Sequence, residues 1–244
     1  MRIALCFYGQ PRNFSTNWSY FKSNIIDGNS VDVFFHTWYD PQHRGINKMT
    51  PGFENLLLDE SLENVMPSII EPKKFIIEKQ KKFDDKFIPA TEENIEECWS
   101  YAKQYTREEF IRDRVKAHYS MWYSINQSIL LKELYAQENN FEYDCVIVSR
   151  FDVSPKIKID FNSLDLSKVI SGYKELPRGE VNDWFMITNN INSNILASVF
   201  YSIDFHRNRI IEKGGIWTNE AYLRDQLNLF SIEVLHREDF QITF

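Results

Sequence analysis

The chain has 244 residues, of which 43% are hydrophobic, 26% charged and 15% aromatic, with eight Gly and eight Pro. This composition excludes a disordered chain, a collagen-like repeat and a small disulfide scaffold. The length suits one large domain, or one domain with an appended subdomain, and it is enough to bury a sizeable core. The 28 basic and 35 acidic residues give a net charge of −7, which makes nucleic acid a poor partner.

No segment of the sequence has the pattern of a membrane span or of a secretory signal. The apolar start is interrupted by Gly9, Pro11 and Arg12, and no later stretch approaches the roughly 18 apolar residues that a spanning helix needs. Two of the three cysteines, Cys6 and Cys145, lie in strand-like runs, where Cys usually behaves as a small buried hydrophobic residue. We expect a cytoplasmic, reduced protein with at most peripheral membrane contact.

The first forty residues predict a strand, a helix and a second strand. Residues 3–8 form an apolar run that ends at Gly9, residues 14–27 repeat apolar side chains at helical spacing up to Gly28, and residues 31–38 form another apolar run. Such runs are typical of buried strands on either side of an amphipathic helix. This order is the repeating unit of a parallel α/β sheet.

The segment from residue 40 to 105 carries weaker patterns. A loop is predicted around Pro51, a short helix over 53–66 and a third strand over 73–78. The charge run at 79–86 is interpreted as a solvated surface segment without chemistry.

The second half of the chain adds a long helix and a strongly apolar strand. Helical spacing is continuous over residues 107–138, and the strand follows at 143–149. The other predicted elements are strands at 168–173, 182–188 and 233–235 and helices at 190–202 and 219–229, the last with Thr218 as its N-cap. Because no linker divides the chain, we predict a single α/β domain with a mostly parallel central sheet flanked by helices.

Several common catalytic motifs are missing from the sequence. It contains no Walker-type loop, GxGxxG turn, HExxH pair, GxSxG elbow or EF-hand loop. These absences argue against a P-loop ATPase, a Rossmann dehydrogenase, a zincin and an α/β-hydrolase, although not against enzymes in general.

Polar clusters follow three of the predicted strands. They lie at residues 8–12, 36–40 and 149–152, and ligands of open α/β sheets gather at the carboxyl ends of the strands. Arg150 and Asp152 come directly after the central strand. Either they bind a phosphate-bearing ligand, with Asp152 holding a divalent cation, or they form a mutual salt bridge that caps the strand.

Four segments of the sequence resemble those of a group of bacterial and viral glycosyltransferase-like proteins. The segments are 3–14, 32–38, 120–125 and 143–152. The resemblance covers residues 1–38 and 112–155 well and 180–236 loosely. It implies a GT-A-like (Rossmann-like) single domain over 1–244 that binds a nucleotide-diphosphate sugar, with a nucleotide-binding part at about 1–155 and an acceptor-side part at about 156–244.

The usual signature of that family is Asp-x-Asp, whose acids bind Mn²⁺ or Mg²⁺ on the diphosphate. Here Arg150 stands in place of the first acid. Either Asp152 ligates the cation alone, completed by water and phosphate oxygens, or Arg150 neutralises the diphosphate directly and reduces the need for metal.

The resemblance also implies which residues surround the sugar nucleotide. They are Tyr8, Gly9, Gln10, Arg12, His36, Thr37, Trp38, Ser120, Tyr123, Ser124 and Arg150. Two of these have simpler interpretations: His36 as a packed strand-end histidine and Arg12 as a solvated side chain. On the long helix, Ser120, Tyr123 and Ser124 share a polar stripe that we expect to face away from Trp122.

An inverting transferase needs a carboxylate that takes the proton of the acceptor hydroxyl. Asp183 is the first candidate because it starts a strand beside Trp184, which could stack on a sugar. Glu220 is the second, although an acid is also favoured electrostatically in the first turn of a helix. His236 is a candidate for a late metal ligand or for a structural histidine.

The sequence therefore predicts a nucleotide-sugar-dependent glycosyltransferase acting on a glycan or glycolipid-linked acceptor, assisted by a divalent cation. The alternative is a non-catalytic nucleotide- or sugar-binding module derived from such an enzyme, which the missing first acid favours. A metal-dependent phosphohydrolase would need several acids around the metal, and Asp152 has no close carboxylate neighbour in the sequence. The stereochemistry of transfer is left open.

Overall fold

The fold is built on a central sheet of seven strands. The computed structural model describes residues 1–39, 62–83, 107–176, 179–215 and 217–243. The seven strands are β1 (Arg2–Tyr8), β2 (Ser30–Trp38), β3 (Lys74–Glu78), β4 (Cys145–Arg150), β6 (Val169–Ser171), β7 (Phe185–Thr188) and β8 (Val234–His236). Two further short strands, β5 (Ser154–Pro155) and β9 (Ile242–Thr243), pair with each other in a separate antiparallel sheet.

The central sheet is mostly parallel. Its strand order is β3-β2-β1-β4-β7-β6-β8. Strands β1 to β4 all run in one direction, and β6 and β8 run parallel to each other. Strand β7 is reversed, because it pairs antiparallel with both β4 and β6. The predicted α/β class with a mostly parallel sheet is therefore confirmed.

Five α-helices accompany the sheet in the described part of the chain. They are α1 (Phe14–Phe21), α2 (Leu62–Ile70), α3 (Arg107–Glu138), α4 (Asn190–Glu212) and α5 (Asn219–Leu229). A π-helical turn, Lys22–Ile26, continues α1. The predicted N-cap of α5 is confirmed, since the Thr218 hydroxyl accepts a hydrogen bond of 2.9 Å from the Ala221 amide and satisfies one donor of the first turn.

Hydrophobic cores lie on both faces of the sheet. Even-numbered residues of β1, such as Cys6 and Tyr8, pack with the helices α3, α4 and α5. Odd-numbered residues, such as Leu5 and Phe7, pack with α1 and α2. Strands covered on both faces read as continuous apolar runs, which explains why β1 and β4 are evident in the sequence. Cys6 and Cys145 are buried and unpaired, as predicted.

Several predicted boundaries differ from the structure, and the strand expected over 182–188 is β7, which begins only at Phe185. The helix expected over 53–66 continues to Ile70. Residues 40–61, which include its predicted start and the loop around Pro51, lie outside the described part, as do Cys98 and residues 84–86 of the charge run. Helix α4 continues to Glu212 rather than ending near residue 202. Its end is followed by Gly214, which has a φ of +67°, a conformation that favours glycine after a helix.

Candidate functional site

The predicted site residues converge on one edge of the central sheet. The carboxyl ends of the parallel strands lie at this edge, and the reversed strand β7 begins there. Ser149 of β4 pairs with Phe185 of the antiparallel strand β7. Because β7 starts where β4 ends, Asp183 lies near Arg150. The residues at the edge therefore come from both parts of the predicted domain.

Arg150 and Asp152 form a two-bonded ion pair. Arg150 donates from Nε to Oδ1 of Asp152 at 2.7 Å and from Nη2 to Oδ2 at 2.6 Å. The Asp152 side chain is 4% exposed, whereas that of Arg150 is 26% exposed. Burial lowers the pKa of Arg150, but the charge and hydrogen bonds of Asp152 outweigh burial and raise it. The guanidinium is thus fixed in orientation, stays charged and reaches the surface.

Arg12 approaches the same carboxylate from the loop after β1. Its Nη1 lies 3.9 Å from Oδ2 of Asp152, and its Nε and Nη2 both donate to Oε1 of Gln10, at 3.1 and 2.9 Å. Burial lowers the pKa of Arg12, while the charge of Asp152 opposes that change. Two guanidinium groups therefore meet at one carboxylate.

Asp183 is held at this edge by backbone contacts on both sides. The Tyr8 hydroxyl donates to the Asp183 carbonyl at 2.5 Å, and the Arg150 amide donates to the Trp184 carbonyl at 3.0 Å. Burial raises the pKa of Tyr8, so the phenol remains a donor. These bonds position the predicted base next to the arginine.

The carboxyl group of Asp183 has an unusual protonation behaviour. Asp183 is 3% exposed, and burial, together with the negative charge of Glu220, raises its pKa to about 8. The positive charge of Arg150 opposes this shift. The two predicted catalytic acids, Asp183 and Glu220, therefore interact electrostatically. Because of its raised pKa, most Asp183 carboxyl groups are protonated near neutral pH.

His36 and Ser124 lie behind the edge rather than on it, and both are fully buried. The His36 ring lies 2.7 Å from the Ser124 hydroxyl through Nδ1 and 2.9 Å from Glu78 Oε1 through Nε2. Burial lowers the pKa of His36 against the opposing effect of Glu78, so the neutral ring donates from Nε2 to the carboxylate. Since Ser124 has no access to solvent, this chain of contacts supports the site and supplies no nucleophile.

The loop at Gly9 is tied to the same support. The Gly9 amide donates to the Ser124 hydroxyl at 2.7 Å, and the Gly9 carbonyl accepts from the Thr37 hydroxyl at 2.8 Å and from the Trp38 amide at 3.3 Å. Gly9 has a φ of +89°, which suits glycine at a sharp turn. Thr37 and Gly9 thus use these polar atoms to fix the loop that carries Gln10 and Arg12.

An aromatic cluster stands beside this support. The rings of Trp38 and Tyr123 stack with centroids 5.4 Å apart, and Trp38 Nε1 donates to the Ser120 carbonyl at 3.2 Å. The Lys81 ammonium contacts Tyr123, with Nζ 3.9 Å from the ring centroid, and also lies 3.4 Å from Glu78. Tyr123 and Ser120 are half-buried, so this part of the polar stripe reaches the edge while Ser124 does not.

Glu78 and Lys81 were missed by the sequence analysis. Glu78 is the last residue of β3, and the end of a parallel strand is a position where polar side chains meet ligands. That position was the available signal. Lys81 carried no such signal, since it belongs to a charge run whose composition is typical of solvated surface.

His236 ends β8 at the far side of the sheet. Its Nδ1 donates to the Tyr173 carbonyl at 3.2 Å, and the residue lines a cavity of about 340 Å³ together with Val181 and Arg224. Three strand spacings separate β8 from β4, or roughly 14 Å. His236 is therefore placed apart from Asp152, with which it was predicted to share a metal.

The donor set does not fit the Mn²⁺ or Mg²⁺ ion that the resemblance implies. Both oxygens of Asp152 accept hydrogen bonds from Arg150, and a divalent cation would need those oxygens at roughly 2.0–2.6 Å with a guanidinium as its neighbour. Among the residues that the structure describes, no three His, Cys, Asp or Glu side chains form a group that could hold a metal ion. The residues present at Asp152 therefore do not fit this cation.

No helix within the described ranges is long and apolar enough to cross a lipid bilayer.

The comparisons with known proteins identify no family for this chain. Neither the protein-family models nor the curated proteins contain a match to this sequence.

Proposed function

We propose that this chain is a glycosyltransferase with a GT-A-like fold. It transfers a sugar from a nucleotide-diphosphate sugar to a hydroxyl group of a glycan or glycolipid-linked acceptor. One observation carries the proposal: Arg12, Arg150 and the buried Asp183 share one edge of the sheet. Guanidinium groups suit a diphosphate, and a carboxyl group of raised pKa suits proton transfer.

The arginines would act on the leaving group. As the bond between the anomeric carbon and the diphosphate oxygen breaks, negative charge accumulates on the diphosphate. Arg150 is already oriented by Asp152 through two hydrogen bonds, so it needs little reorganisation to meet that charge. Such prearranged charge stabilisation is usually the largest contribution to catalysis.

Asp183 would act on the acceptor. In an inverting transfer, the acceptor oxygen forms the new bond to the anomeric carbon, and its proton passes to the Asp183 carboxylate while the nucleoside diphosphate departs. Burial and Glu220 raise the pKa of Asp183 to about 8, which makes the deprotonated form a stronger base than an ordinary carboxylate. Because the pKa is raised, only a fraction of the molecules carry a deprotonated Asp183 at neutral pH.

The test is release of nucleoside diphosphate from a panel of nucleotide sugars, first in water and then with glycan acceptors. We expect slow release from at least one donor, and we expect Asp183→Asn to abolish acceptor-dependent release. Asp27→Asn is the matched control, because Asp27 is exposed and precedes β2 at the opposite edge of the sheet.

Two outcomes would contradict the proposal in different ways. Binding of a nucleotide sugar without any release, with or without acceptor, would establish the non-catalytic binding module instead. Failure to bind any member of the panel, measured as the absence of a thermal shift, would overturn both assignments, since a ligand that binds the folded state raises its apparent stability.

A further inference from the structure

The charge arrangement around Asp152 differs from that of a metal site in a specific way. Asp152 is almost fully buried, and each of its oxygens accepts from a different nitrogen of Arg150, at 2.7 and 2.6 Å. In a cation site, the carboxylate lone pairs point at the ion. Here the lone pairs of Asp152 accept hydrogen bonds from a guanidinium, so the carboxylate orients Arg150.

The second guanidinium is held in a comparable way. Gln10 Oε1 accepts from two nitrogens of Arg12, and the Arg12 Nη1 atom then lies 3.9 Å from the Asp152 carboxylate. Neither arginine is fully enclosed, since their side chains are 14% and 26% exposed. Two fixed, charged and partly exposed guanidinium groups therefore lie at the ends of the neighbouring strands β1 and β4.

We propose that Arg12 and Arg150 take the place of the divalent cation on the diphosphate, with Asp152 as the positioning residue, so that nucleotide binding is independent of metal. This inference rests on the proposed function, because it names the charge that the same site neutralises. Guanidinium groups bind phosphate oxygens in pairs, and they keep their charge at every physiological pH. A lysine in the same place keeps the charge but loses the fork.

The test is equilibrium binding of the common nucleoside diphosphates, one at a time, to the full chain by titration calorimetry. Each titration is run once in excess EDTA and once in excess MnCl₂. We expect the dissociation constant of the preferred diphosphate to agree within about twofold between the two conditions, where about tenfold corresponds to 1.4 kcal/mol.

Two results overturn the inference and remain distinguishable from each other. Affinity that falls tenfold or more in EDTA overturns the arginine assignment and leaves the proposed function standing. Absence of binding in both conditions overturns the proposed function and this inference with it.

Variants separate a positioning role from a merely structural one. In EDTA, Arg150→Lys is expected to weaken diphosphate binding at least tenfold while leaving the affinity for the corresponding nucleoside unchanged. Asp152→Asn keeps the shape but not the charge, and it is expected to change diphosphate affinity without creating a metal requirement. Equal losses for diphosphate and nucleoside would indicate general disruption and would overturn the assignment.

The chain provides a matched control for these variants. Arg237 donates to Asp239 through Nε and Nη2, both at 2.7 Å, with the same spacing in the sequence as the pair at the site. This second pair is more exposed and follows β8. Arg237→Lys and Asp239→Asn are therefore expected to leave diphosphate affinity unchanged.

Discussion

The Tyr8 hydroxyl donates a hydrogen bond of 2.5 Å to the backbone carbonyl of Asp183, a residue 175 positions further along the chain. The bond joins the end of β1 to the residues just before β7. Tyr8 is 1% exposed, so its hydroxyl cannot form a hydrogen bond with bulk solvent instead. The position of the proposed base thus depends on a side chain in the first strand.

Tyr8→Phe removes this bond. We expect the free energy of unfolding to fall by about 1–3 kcal/mol, because a buried carbonyl loses its donor. We also expect kcat to fall at least tenfold with a smaller change in KM. The matched control is Tyr143→Phe, which removes a bond of 2.8 Å to Asp32 near the other edge of the sheet. An equal loss of kcat in both variants would contradict the positioning role of Tyr8.

Asp183→Asn tests the protonation state of Asp183 through stability. Its pKa is raised to about 8 in the folded protein by burial and Glu220, against about 3.9 in an unfolded chain. The folded state binds more protons between these values, so stability falls as pH rises through this window. We expect the Tm of Asp183→Asn to match the wild type near pH 4 and to exceed it at pH 9. Parallel curves for the two proteins would refute the raised pKa.

Glu220→Gln tests the coupling between the two acids through activity. The charge of Glu220 contributes to the raised pKa of Asp183, so its removal lowers that pKa. We expect the rising limb of kcat/KM against pH to move roughly one unit toward acid. Glu212→Gln, at the exposed end of α4, is the control and should leave the limb in place. A limb that does not move in Glu220→Gln would show that the two acids act independently.

Asp225→Asn tests a buried network between the helices α4 and α5. Asp225 accepts from His206 Nδ1 at 2.9 Å and from Arg209 Nε at 3.0 Å, and His206 is fully buried. Burial favours the protonated form of Asp225, but these hydrogen bonds outweigh it and lower its pKa. The stabilisation is present above the unfolded pKa and is lost as pH falls through the lowered value.

We expect Asp225→Asn to cost about 1–3 kcal/mol at pH 7, because it weakens the hydrogen bonds from the buried His206 ring and from the partly exposed Arg209. Denaturant unfolding at several pH values measures this, and the cost should shrink in acid. Asp239→Asn breaks an exposed pair and is expected to cost less than about 1 kcal/mol. Activity per folded molecule should be unchanged in both variants.

Much of the fold could be predicted from local patterns. Strands β1, β2 and β4 are apolar runs because both faces of the sheet are covered, and α5 lies at 219–229 with Thr218 as its N-cap, as predicted. The reversal of β7 could not be predicted. A short apolar strand carries no mark of its direction, which is set by its partners β4 and β6.

The candidate site was predictable by position more than by contact. The ends of parallel strands identified Arg12, Arg150 and Asp152, and the structure forms the mutual ion pair that the sequence left as one of two interpretations. Spacing on α3 grouped Ser120, Tyr123 and Ser124, but helical spacing does not say what a face packs against. Ser124 points into the protein and is fully buried.

The reversed strand has a consequence for how specificity can diversify. Since β7 enters the sheet at the edge that carries the candidate site, the connection from β6 begins and ends beside Asp183. Its two ends are fixed by sheet pairing, and connecting segments tolerate insertions far better than strands do. If the proposed function holds, we expect changes in the length of this connection to alter which acceptor is used, while the residues at the ends of β1 and β4 stay unchanged.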